Sequence, residues 1–110
     1  MLLVELDHCI FDAQLLAQSH GYESLDPIAR EAFVNHLHLT GESRVAAADE
    51  IIRLLTSEMQ SRWPDRVFRI YHHSEAEEIT IRFHMIRPEL PNWCDEGVEI
   101  LVVGSIADHG

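Results

Sequence analysis

Eight histidines and nineteen carboxylates in a chain of 110 residues raise metal chemistry first. Glu5-x-x-His8, with Asp12 beyond it, has the spacing by which di-iron helix bundles present a carboxylate and an imidazole from one helix face. Such a centre needs a second copy of the motif, and the chain has none. His36 and His38, if helical, diverge by about 200°. His72 and His73 on a strand point to opposite faces. No ligand set closes, so neither a metal nor any other cofactor is expected.

Nucleophilic catalysis has no better footing. Cys9 falls among apolar residues, where a buried, inert thiol is expected. Cys94 is followed by Asp95 and Glu96, whose charges would raise its pKa and blunt it. Two cysteines could form one bridge at most, and in a cytosolic chain they stay reduced. There is no G-x-S-x-G, P-loop, G-x-G-x-x-G or C-x-x-C. The expectation is therefore binding rather than catalysis.

The segment Pro88–Gly97 has the features of a binding loop. It places Trp93 between prolines and the acids Asp95 and Glu96. Prolines reduce the entropy a loop loses on binding, and tryptophan is a frequent interface anchor. Trp93 can equally fold back as a lid over the helices. A second acidic group, Glu75, Glu77 and Glu78, lies between two segments of strand character.

The elements that must position these groups follow from periodicity. Residues 2 to about 19 lack Gly and Pro, and apolar residues recur at helical spacing, which predicts a helix with a short strand at Leu2–Leu6 as competitor. Asp26-Pro27 starts a second helix, expected to run to about Leu39 before Gly41, with Ile28, Ala32, Phe33 and Leu37 inward. Ser43 caps a third, from about Arg44 to Arg62, ended by Trp63-Pro64. The period then changes to two. Arg66–His73 and Glu78–Arg87 predict a hairpin with Phe68 opposite Phe83 and His73 opposite Glu78. Phe68, Ile70, Ile79, Ile81 and Phe83 share its apolar face, while Arg69, Tyr71, Arg82 and His84 share its polar face. That register sets Arg69 against Arg82, so a carboxylate is expected near them. Val98–Gly104 is a last strand, apolar on both faces, expected to be central or covered by another chain.

The expected architecture is one α+β domain over 1–110. Three N-terminal helices (about 2–63) pack on a three-stranded, mostly antiparallel C-terminal sheet (about 66–104). The start lacks the basic region of a signal peptide, and no apolar run reaches membrane-spanning length, so a cytoplasmic protein is expected.

Charge supplies the functional expectation. All eight basic residues are arginine, and the net charge is −11. Such a chain repels nucleic acid and anionic membrane and attracts basic proteins. Size, acidity and absent catalytic motifs fit a bacterial immunity protein or antitoxin that blocks a basic toxin or nuclease. Its partner-binding residues would be Trp93, Asp95, Glu96, Glu75, Glu77, Glu78, Arg69, Tyr71, Arg82 and His84. The alternatives are a small metal-binding protein or enzyme using dispersed His, Asp and Glu, and a homo-oligomeric subunit joined, as a homodimer, through the last strand.

Overall fold

A computed structural model describes residues 2–104. Its elements in order are β1 (Leu3–Leu6), β2 (Cys9–Asp12), α1 (Ala13–Gln18), a 3-10 turn (Tyr22–Ser24), α2 (Pro27–Val34), β3 (His36–Thr40), α3 (Arg44–Arg62), β4 (Phe68–Ser74), β5 (Glu78–Met85) and β6 (Glu99–Val103). β1 and β2 form a separate hairpin, and the other four strands form an antiparallel sheet in the order β3-β5-β4-β6. The expected three helices on a three-stranded sheet is therefore corrected to three helices with sheets of two and four strands. The supposedly helical part contains β1, β2 and β3.

The first correction arises at Asp7-His8. Both residues have positive φ, 51° and 65°, the geometry of a tight two-residue hairpin turn. The turn splits the predicted first helix into β1 and β2, and only Ala13–Gln18 is helical. Asp12 caps that helix by accepting from the Leu15 N–H. The hairpin is two-sided: Leu3 and Ile10 join the main core, while Cys9 and Phe11 pack with Val34 in a second cluster.

The second correction lies at Asn35. α2 stops there, not at Leu39. The Asn35 carbonyl accepts from the Phe83 N–H (3.1 Å), and its side chain donates to Ile10 O (2.8 Å) and accepts from the Asp12 N–H (3.0 Å). Three bonds to two neighbouring strands draw the chain out of the helix and onto the sheet. His-Leu-His-Leu-Thr then alternates as β3, with Leu37 and Leu39 opposite Ile81 and Ile79. Phe33, expected inside, is exposed.

α3 spans the predicted range and buries Ala48, Leu55 and Met59 against Phe68, Ile70, Ile79, Ile81 and Phe83 of the sheet's inner face. Val45 lies outside this stripe. The β4–β5 hairpin keeps its expected faces, but the loop is displaced by one residue: Ser74 meets Ile79, and Phe68 meets Met85. A shift of two in paired positions preserves the faces, because side chains alternate with period two. The Glu75 N–H closes this turn on Glu78 O at 2.8 Å. The observed register also separates Arg69 from Arg82, setting them opposite His84 and Tyr71. Finally, β6 is not central. It pairs with β4 alone among the described residues and forms a sheet edge.

Candidate functional site

The outer face of the four-stranded sheet carries a grid of polar side chains. One cross-strand row runs His38, Thr80, His73, the next His36, Arg82, Tyr71, Ile100, and the third His84, Arg69, Val102. Strand geometry brings His36 and His38 to one face, where their rings lie 5.2 Å apart. This reverses the divergence expected on a helix. Among the described residues, no group of three His, Cys, Asp or Glu is arranged to hold a metal ion. Glu5, His8 and Asp12 are separated: Glu5 pairs with Arg66 (3.0 Å), His8 occupies the turn, and Asp12 is a buried cap.

The loop 88–98 crosses this face, and a chain of hydrogen bonds fastens it. The His84 Nδ1 lies 3.0 Å from Met85 O, and a carbonyl can only accept, so Nδ1 carries the proton. Nε2 is then the acceptor, and the Tyr71 hydroxyl donates to it at 2.8 Å. That hydroxyl in turn accepts from the Cys94 N–H (3.3 Å), and the Trp93 N–H approaches His84 Nε2 (3.4 Å). Burial lowers the His84 pKa; the neighbouring Arg69 and Arg87 charges add to this. Burial raises the Tyr71 pKa. The pair is thus held neutral and serves as a fastening, because both polar tips are engaged with the loop.

Trp93 sits on top of this fastening. Its ring meets Tyr71 edge-on at 5.2 Å between centroids, and the Arg82 guanidinium lies 4.4 Å from its centre. Arg82 also donates to Ala32 O. Even so, Trp93 remains 44% exposed. It is neither a lid over the helices nor a free loop tip; it is an aromatic seated on the outer face between Tyr71 and Arg82. Asp95 answers Arg69 at 3.1 Å, the carboxylate expected beside the arginines. Arg82 receives the tryptophan ring instead.

Beside Trp93 opens a cavity of about 290 Å³ lined by His38, Tyr71, His73, Thr80, Arg82 and Val98. Its histidines carry acid partners: His38 Nδ1 lies 2.5 Å from Glu78, and His73 Nε2 lies 3.1 Å from Glu75. Thr80 Oγ1 also approaches His38 Nδ1, at 3.2 Å. A hydroxyl–imidazole–carboxylate relay needs its two partners on opposite ring nitrogens. Here both share one nitrogen, so that relay does not form.

The structure therefore unites Arg69, Tyr71, Arg82, His84, Trp93 and Asp95 in one network. Glu75 and Glu78 border it through the histidines. Glu77 and Glu96 are exposed in the adjoining turn and loop. Both cysteines are free, and burial raises the Cys9 pKa.

One cluster escaped sequence reasoning. Glu31 is fully buried and accepts from the Ile10 N–H (2.6 Å), the Met85 N–H (3.0 Å) and Arg87 Nη1 (2.6 Å). Arg87 also donates to His8 O at 2.9 Å. Burial pushes the Glu31 carboxyl upward, against the pull of Arg87 and the two N–H donors. The cluster ties the β1–β2 hairpin to α2 and β5. Its only sequence signal is an acid at an apolar position of α2.

Among the described residues, no helix is long and apolar enough to cross a membrane. Comparison with known proteins finds no match among family models, curated proteins or solved structures.

Proposed function

We propose that the outer sheet face and its crossing loop bind a basic protein, and that the chain is a non-catalytic inhibitor of the immunity-protein or antitoxin kind. The observation that carries this reading is Trp93: clamped by Tyr71 and Arg82, yet nearly half exposed. An anchor already fixed in place loses little entropy on binding. Acids border the face at both ends, Glu75, Glu77 and Glu78 at the β4–β5 turn and Asp95 with Glu96 in the loop. With a net charge of −11, they would steer a cationic surface towards the tryptophan.

The test is co-expression with the protein encoded immediately upstream. The reading expects a basic product that binds this chain and loses its activity on binding. An acidic neighbour, or a basic one that does not bind, would overturn the inhibitor assignment.

A further inference from the structure

Among the described residues, the β6 edge is a stretch of surface suited to another copy of the same chain. Its outer backbone groups have no strand partner among the described residues. From Ile100 to Gly104 it bears no charge, on a chain of net charge −11. Leu101 and Val102 are 44% and 51% exposed, on opposite faces. Sheet edges are normally defended by charges, prolines or bulges, and β6 has none of these within Ile100–Val103. The other edge, β3, places His36 and His38 on its outer face, with Glu78 against His38.

We infer that two copies pair antiparallel through β6, about a two-fold axis at Leu101. In that register Ile100 meets Val102 of the second copy, and Leu101 meets its own counterpart. Glu99 meets Val103 and not the other Glu99, so no like charges face each other across the ladder. Directly opposed residues of an antiparallel pair point to the same side. Both Leu101 side chains therefore extend the inner, helix-covered face. There a crevice of about 160 Å³ between α3 and β6 is left open at the edge, lined by Asp49, Ile52, Ile70 and His72 together with Glu99, Ile100 and Leu101 of β6. The product is one continuous eight-stranded sheet with α3 of each copy on the same side. The outer faces, with Trp93, stay free, so this inference does not depend on the proposed function.

A single-strand interface is small, so the dimer is concentration-dependent. Sedimentation velocity of the full chain from micromolar to submillimolar concentration should show the mass rising from 12.6 kDa to twice that value. Added salt should strengthen the dimer by screening the two acidic bodies, whereas it weakens capture of a basic partner. Leu101→Lys and Val102→Lys should each abolish the dimer. A wild-type protein that stays monomeric throughout, or a dimer that survives both substitutions, overturns the inference. Disulfide trapping in a Cys94→Ser background covers variants that fold poorly. Leu101→Cys should cross-link on mild oxidation, because directly opposed Cα atoms lie about 4.5–5.5 Å apart. Glu99→Cys should not. Equal trapping at both positions, or none at Leu101→Cys, contradicts the register.

Discussion

Two polar clusters meet at the end of β5, where both His84 Nδ1 and Arg87 Nη1 reach the Met85 carbonyl, and they behave in opposite ways. Around Glu31 and Arg87 every group is enclosed, and the bonds join β2, α2 and β5. Around Tyr71 and His84 both polar tips are also hydrogen-bonded, but Arg69 Nε and Asn92 Oδ1 are buried without a partner among the described residues, and the network ends in a half-exposed tryptophan beside an open cavity. Enclosed polar groups fix the position of elements. The same chemistry beneath a surface loop fixes a side chain that others can reach. What separates them is the cover: α2, which carries Glu31, on the first, and the loop 88–98 over the second.

The largest effect should come from opening the enclosed cluster. Arg87→Met leaves the Glu31 carboxylate buried without its cation, which costs about 3–5 kcal/mol. Urea denaturation should show it, and adding Glu31→Gln, which removes the charge but keeps an acceptor for the Ile10 and Met85 N–H groups, should restore much of the loss. A cost under about 1 kcal/mol would mean that this cluster does not clamp the hairpin to the sheet.

The outer fastening should respond less. Tyr71→Phe removes the donor to His84 Nε2 and the acceptor of the Cys94 N–H, for about 0.5–1.5 kcal/mol each. Amide exchange should accelerate at Cys94 while Ile79 and Ile81 stay protected. Unchanged exchange at Cys94 would show that the loop is held by other contacts.

Titration separates the clusters further. The His84 pKa is depressed in the folded chain, so the unfolded chain binds more protons below the ordinary value of about 6.5. The stability this group contributes is complete above that pH and is lost as pH falls through the folded pKa. Replacing His84 with Gln should flatten the acid side of the stability profile. An unaltered slope would show that His84 is not held neutral.

Exposed acids should matter least for the fold. Replacing Glu75, Glu77 and Glu78 with Gln should leave the melting temperature unchanged while slowing association with a basic partner. A changed melting temperature would make them structural.

Some of this was legible in the sequence, for identifiable reasons. α3 keeps its expected bounds, with Pro64 beyond its end, although Ser43 at its start makes no side-chain capping hydrogen bond. The faces of β4 and β5 survived an error in register, because a shift of two keeps alternation intact. The loop from Pro88 and its tryptophan stood out by composition. Other parts depended on contacts distant in the chain. The Asp7-His8 turn lacks the glycine that usually marks it. The end of α2 is decided by bonds from Asn35 to Ile10, Asp12 and Phe83. His36 and His38 therefore changed from residues on a helix to neighbours on a strand. Glu31 and Arg87 are 56 residues apart, and no local pattern connects them.

The central claim is that Trp93 is a preset binding anchor, and dissociation kinetics with the basic partner test it most directly. Trp93→Ala should raise the dissociation rate by an amount worth about 2 kcal/mol, roughly thirtyfold, with association and the melting temperature little changed. If Trp93→Ala unfolds the chain, or leaves dissociation unaltered, Trp93 is structural and the account fails.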